Sequence, residues 1–237
     1  MLADALSGTG VLGNVHEYFW RLVEPMHAAE LGLEAPADAG YATYLEAALR
    51  YGTTPNGVFG AKLFWAHAVD LVRRTGLMPE YAGLGALERL WAPFGDDVRL
   101  VFLRRNCLRS ALSLWRAEVT QEWGRRPGAS LPQPPATVDV RRVSELHAGT
   151  HAADVGWRAV LEGSALPVLE MAYGTVVADL NAAVRDVAQF AGVELPMGLH
   201  VDASYVRQAD ELTDRFETMW AEATGGCADC TPGAQCR

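Results

Sequence analysis

No apolar run in this 237-residue chain reaches the length of a bilayer span, and its mean hydropathy is close to zero. Leu2 to Leu6 is too short for the core of a secretory leader, and no basic segment precedes it. A cytoplasmic protein without a membrane span is therefore expected. Cysteine is scarce, with four residues, three of them (Cys227, Cys230, Cys236) beyond Gly226, which argues against a disulfide-stapled extracellular framework. Those three thiols fall one short of the usual structural zinc set, and His147 and His151 lack a companion acidic ligand, so no metal is expected. Positive charge is in deficit too. Twenty Lys and Arg stand against 29 Asp and Glu, giving a net charge of -9. That excludes the broad basic face of a nucleic-acid binder but leaves room for local arginines around a small anion.

What is present is enough for one core. Half of the residues are hydrophobic, and at this length a single domain needs neither disulfide nor metal. Apolar periodicity predicts helices over Leu2–Ser7, Tyr41–Tyr51, Trp65–Arg74, Gly83–Trp91 and Val138–Glu162, with another running from a cap at Asp179 to about Ala191. Val58–Phe64 reads as a short buried strand or strand end, and Val101–Leu103 and Leu166–Met171 read as strands. Thr53-Thr54-Pro55-Asn56-Gly57 is a turn, because proline presets one dihedral and Asn-Gly tolerates positive φ. Arg125–Pro135 is too rich in proline and glycine for an element and reads as a mobile surface loop. Strands alternating with helices predict an α/β fold with a mostly parallel central sheet and helices on both faces.

The richest stretch is Leu100–Trp123, an apolar strand running through Arg104 and Arg105 into an amphipathic helix. A helix start offers free backbone N–H groups and a positive dipole end. Two guanidiniums, with Ser110 and Ser113 on the opening turns, suit a phosphate or sulfate there. Taken alone, the stretch has a plainer reading, in which the arginines pair with surface carboxylates. Leu108, Leu112, Trp115 and Val119 keep helical spacing and read as a packing face.

Three other segments bear on the choice. Thr9 to Phe19 (TGVLGNVHEYF), Arg50 to Trp65 (RYGTTPNGVFGAKLFW) and Arg207 to Asp210 (RQAD), together with Leu100–Trp123, resemble in order and approximate spacing the trehalose 2-sulfotransferase family of bacterial sulfotransferases. The resemblance implies a P-loop NTPase-like sulfotransferase fold over residues 1–224, followed by a flexible cysteine-containing tail at 225–237. It implies transfer of a sulfuryl group from 3′-phosphoadenosine 5′-phosphosulfate (PAPS) to a hydroxyl of a carbohydrate or glycosylated small molecule, without a metal.

Carried over residue by residue, the resemblance makes Glu17 the general base, with His16 beside it as the fallback. Tyr18 and Phe19 become a stacking wall for the acceptor or, equally, core. It assigns the donor's 3′-phosphate to Arg104 or Arg105 together with Ser113, the eight-residue step from Arg105 to Ser113 matching PAPS sulfotransferases in general. Arg207 is a weaker third candidate. Lys62 either reaches a substrate oxygen or is a solvated charge. Tyr173 either packs under the donor's adenine or closes the core. The loop at Arg125–Pro135 would gate the acceptor site.

One departure stands out. The family normally has a strand and an x-R-S-G-S-T phosphate loop immediately before the helix that here starts at Leu2. Three accounts compete: a start further upstream, another segment or partner filling the strand, or a degenerate noncatalytic relative that binds a glycoside or serves as an accessory protein. The first is favoured, since losing an interior strand exposes unpaired backbone. An exposed apolar helix near this end would favour a homodimer.

Overall fold

The computed structural model describes residues 1–36, 38–124, 136–202 and 211–225. The described helices are α1 (Leu2–Gly8), α2 (Glu24–Glu30), α3 (Tyr41–Gly52), α4 (Trp65–Thr75), α5 (Ala86–Trp91), α6 (Cys107–Thr120), α7 (Val140–Gly163), α8 (Tyr173–Ala178), α9 (Leu180–Ala191) and α10 (Glu211–Thr224). Strands β1 (Leu100–Arg104) and β2 (Val168–Ala172) pair in parallel, from Leu100 opposite Val168 to Arg104 opposite Ala172. A parallel pair needs a crossover, and α6 and α7 supply it. The architecture is α/β, as the pattern of elements predicts.

Side-chain acceptors start three of the helices. Asn106 accepts from the Arg109 N–H at 2.9 Å, Asp139 from Arg142 at 2.9 Å and Asp179 from Ala182 at 2.8 Å, each satisfying an otherwise unpaired donor of the first turn. The Asp179 cap was legible in the sequence.

The two faces of the sheet feed different cores. Leu100 packs with Trp157 and Val160 of α7 and with the helices before β1, whereas Leu169 and Met171 pack with Val184 and Val187 of α9 and with α1. A third core gathers Leu108, Leu112 and Trp115 of α6 with Val143 of α7 and Phe216 and Trp220 of α10. Val119, expected on that face, is 47% exposed.

The span Val58–Phe64 is not a strand. It makes only isolated bridges, Thr53 to Phe59 antiparallel and His16 to Ala61 parallel. The turn before it holds one end in place: Gly57 N–H donates to Thr54 O at 2.8 Å with Gly57 at φ 85°, and Asn56 Nδ2 donates to Val11 O at 2.8 Å. Beyond it, Gly60 crosses Gly13 at closest approach. A Cβ on Gly13, which has φ 82°, would collide with the Gly60 backbone. Gly13→Ala therefore combines backbone strain with overpacking, and a loss of about 2 kcal/mol or more is expected. A calorimetric Tm lower by about 5 °C or more would register it, whereas an unchanged Tm would contradict the close crossing.

The loop at Arg125–Pro135, the tail thiols Cys227, Cys230 and Cys236, and the segment Arg207–Asp210 lie outside the described residues. No described helix is long and apolar enough to cross a membrane.

Candidate functional site

Two groups of polar side chains emerge from this framework. The first is made by the crossing of the 13–17 and 60–64 segments. Lys62 N–H donates to His16 O at 2.9 Å beside the His16–Ala61 bridge, which sets the next residue, Glu17, against the Lys62 side chain. Lys62 Nζ then donates to Glu17 Oε1 at 2.6 Å. Lys62 is the single lysine of the chain, against nineteen arginines. Both partners remain open to solvent, at 43% and 24% side-chain exposure, so neither is locked away as a core pair. Glu17 Oε2 has no hydrogen-bond partner among the described residues. A carboxylate held by one oxygen and open at the other is what a positioned proton acceptor needs.

His16, the fallback base, reaches solvent while its ring is partly enclosed beside Tyr18 and His27, with Nε2 3.1 Å from Asn14 Oδ1. Burial and the neighbouring His27 push its pKa below the ordinary imidazole value. Of the two readings of Tyr18 and Phe19, stacking wall or core, the structure fits the second, with exposures of 0% and 1%. The chain turns at Glu17–Trp20, where Trp20 N–H donates to Glu17 O at 3.1 Å, and this turn drives both rings inward. Tyr18 Oη donates to Asn14 O at 2.5 Å, and Phe19 stands edge-on to Phe94.

The open aromatics near Glu17 are others. Phe64 is 49% exposed, and Lys62 Nζ sits 4.4 Å from its ring centroid. Trp20 stacks on His67, with centroids 5.6 Å apart. Burial lowers the His67 pKa, Glu17 raises it and Lys62 lowers it, with burial the largest effect. Trp65, the tryptophan of the 50–65 segment, is structural: its ring occupies the space a Cβ on Gly156 of α7 would take and meets Trp157 edge-on.

A charged network fixes this group from beneath. Arg21, next after Trp20, donates to both oxygens of Asp70 on α4 at 2.8 Å. Arg74, also on α4, donates to Glu24 Oε2 of α2 at 2.8 Å, and its Nε lies 2.9 Å from Asp70 Oδ2. Arg73 holds Asp38 through two nitrogens, each at 3.0 Å. Bonds and charge from the arginines depress the Asp70 carboxyl pKa despite partial burial. Burial instead pushes the Glu24 carboxyl up, against the pull of Arg74.

The second group lies at the carboxyl ends of β1 and β2. Arg104 is ion-paired with Glu170 on the neighbouring strand. Arg105 turns the other way, its guanidinium 4.6 Å from the ring centroid of Tyr173 at the start of α8. A guanidinium over an aromatic ring gains a cation–π attraction, and its planar fork matches the geometry of a phosphate. Asn106 then caps α6, and Ser113 sits half-buried on its second turn. The Ser113 hydroxyl has no hydrogen-bond partner among the described residues. An arginine held against a ring, a fourteen-residue helix opening beside it and the Ser113 hydroxyl fit a phosphate monoester.

The structure thus brings Glu17 to Lys62, and Arg105 to Tyr173. Arg104 pairs with Glu170, and Arg105 lies over Tyr173. The two groups share a core: Val15, two residues before Glu17, packs in the same cluster as Met171, two residues before Tyr173. Arg207 lies outside the described residues. His147 of the His147–His151 pair packs edge-on against Trp220 at 5.1 Å, and no metal-binding cluster occurs among the described residues.

The cap at Asn106 and the exposed ring of Phe64 were missed in the sequence. Asn106 follows a strand and precedes a periodic apolar run, which is an N-cap signal that was available to find it. Phe64 carried no such signal, since its exposure follows from the crossing of distant segments.

Comparison with known proteins gives a consistent result. The family profile described as Stf0 sulphotransferase matches residues 1–222. A trehalose 2-sulfotransferase of Mycolicibacterium smegmatis is 28% identical over 249 aligned residues, covering 91% of this chain and 87% of that protein. A trehalose 2-sulfotransferase of Mycobacterium tuberculosis is 25% identical over 238 aligned residues, covering 91% of this chain and 89% of that protein.

Proposed function

The chain belongs to the Stf0 sulphotransferase family, and from that premise we propose that it transfers a sulfuryl group from PAPS to a hydroxyl of a carbohydrate, with trehalose or a related glycoside as acceptor. The observation that carries the reading is the Glu17–Lys62 pair, open to solvent and tied by Val15 to the core that also holds the strand beside Arg105. The named relatives act on trehalose, and both align over about nine-tenths of this chain.

When bound, PAPS supplies an activated sulfuryl group on a phosphate leaving group. The chain's own residues do the rest. Lys62 holds Glu17 Oε1 and so turns Oε2 toward an incoming hydroxyl. Oε2 accepts the hydroxyl proton as the acceptor oxygen bonds to sulfur and the sulfur–phosphate oxygen bond breaks, its electron pair leaving with the phosphate. Arg105, Ser113 and the first turn of α6 hold the 3′-phosphate, fixing the donor before the chemistry begins. Tyr173 lies against the Arg105 guanidinium. Arg104, already neutralised by Glu170, has a supporting role.

Adenosine 3′,5′-bisphosphate, the donor's desulfated product, tests this division of labour. A charge-assisted hydrogen bond contributes about 1.5–3 kcal/mol, so Arg105→Ala should weaken its binding by about 10- to 100-fold. Arg104→Ala should change binding by less than about threefold, in line with the small energies of an exposed pair. Calorimetric titration of both variants reads the result. Equal losses would place the phosphate between the two arginines, and a larger loss for Arg104→Ala would reverse the assignment.

A further inference from the structure

With Tyr18 and Phe19 in the core, the sugar-facing aromatic must come from elsewhere. Phe64 is the half-exposed ring beside the base. An exposed phenylalanine is ordinary by itself. This one is fixed on several sides. Its residue is the N-cap of α4, with extended backbone at φ -92° and ψ 164°. Its N–H donates to His67 Nδ1 at 3.4 Å, and the two rings meet edge-on at 5.2 Å and 84°. His67, 5% exposed, is in turn stacked on Trp20, whose turn carries Glu17. Because Nδ1 accepts that bond, the neutral imidazole carries its proton on Nε2.

Carboxylate, ammonium and ring follow one another in close contact: Glu17 Oε1 is 2.6 Å from Lys62 Nζ, which is 4.4 Å from the Phe64 centroid. A hydroxyl taken by Glu17 brings the rest of its carbon skeleton within reach of that ring. The C–H face of a pyranose is apolar and weakly positive, whereas the face of a phenyl ring is weakly negative, so the two surfaces complement each other. Lys62, which already sits at the ring, would donate to a neighbouring hydroxyl of the same sugar. We infer that Phe64, propped by His67 and Trp20, is the acceptor-specificity residue, a platform for the pyranose ring whose hydroxyl faces Glu17. The inference rests on the sulfotransferase reading above and adds the surface that selects a sugar over a simple alcohol.

Calorimetric titration of the full chain with trehalose tests it, alongside adenosine 3′,5′-bisphosphate as a reference for the donor site. Phe64→Ala should raise the trehalose Kd about tenfold, in keeping with the energy of a good aromatic contact. Phe64→Leu, which keeps apolar bulk and removes the π face, should do the same, whereas Phe64→Trp should bind at least as tightly as wild type. Affinity for the bisphosphate should be the same in all of them. Wild-type trehalose affinity in Phe64→Leu would overturn the platform while leaving the sulfotransferase reading intact. A wild-type protein that binds the bisphosphate but neither trehalose nor glucose would overturn the sugar acceptor and the platform together.

Discussion

Glu17→Gln should lower the rate of sulfuryl transfer by about 10²- to 10⁴-fold, the usual contribution of a positioned general base. The amide keeps the shape of the side chain and its contact with Lys62, but it cannot take the acceptor's proton. Because Glu17 lies on the surface side of the crossing, with its polar contact at 2.6 Å to an exposed lysine, the variant should unfold within a few degrees of wild type. A loss of turnover with unchanged affinity for adenosine 3′,5′-bisphosphate is the signature of the missing base. A variant retaining more than about a third of wild-type turnover would remove Glu17 from the chemistry. His16 would then be next to examine, since its lowered pKa keeps it neutral and able to accept a proton near pH 7.

The second large effect lies under the site. Glu24 and Arg74 are paired at 2.8 Å with side-chain exposures of only 3% and 2%, and Glu24 Oε1 has no partner among the described residues. Removing one member strands a buried charge, so Arg74→Met should cost about 3–5 kcal/mol. In a chain of this size that is a fall in Tm of about 10 °C. The double replacement Glu24→Leu with Arg74→Met should recover much of the loss, since an apolar pair needs no compensation. If the double variant is no more stable than the single one, the pair contributes more than mutual neutralisation. Packing of Arg74 over the Tyr41 ring, at 4.4 Å, would be the first place to look.

The network also connects stability with the site. Arg21 leaves the turn that carries Glu17 and grips Asp70, which Arg74 also contacts. Fixing the turn fixes the base. This arrangement spans residues from 17 to 74, and no local pattern announces it.

How far the sequence disclosed the molecule depends on the range of the interactions concerned. Helices α3, α4, α7 and α9 were readable because their apolar residues recur every three or four positions, and Asp179 marks the start of α9. β1 and β2 were readable as short apolar runs bounded by polar residues. The span 58–64 has the same apolar content, yet a turn at one end and a backbone crossing at Gly60 leave it only isolated bridges. Short runs carry little information about pairing, because the partner is supplied by distant residues.

The site divides in the same way. That Glu17 and Lys62 were both candidates followed from the motifs they sit in, but that they touch follows from the His16–Ala61 bridge. Arg104 and Arg105 were alternatives in the sequence, and the contacts that differ between them, Glu170 for one and Tyr173 for the other, come from the neighbouring strand and the helix after it. Tyr18 and Phe19 stood equally as stacking wall or core in the sequence, and the turn after Glu17 accompanies the second outcome, with both rings buried.

The central claim is that this chain moves a sulfuryl group onto a sugar hydroxyl. The direct test is incubation of the purified protein with PAPS and trehalose, followed by mass spectrometry of the sugar and quantitation of adenosine 3′,5′-bisphosphate. The account predicts monosulfated trehalose and the bisphosphate in equal amounts, both absent with Glu17→Gln. Folded protein that binds the bisphosphate and trehalose yet forms neither product would contradict it.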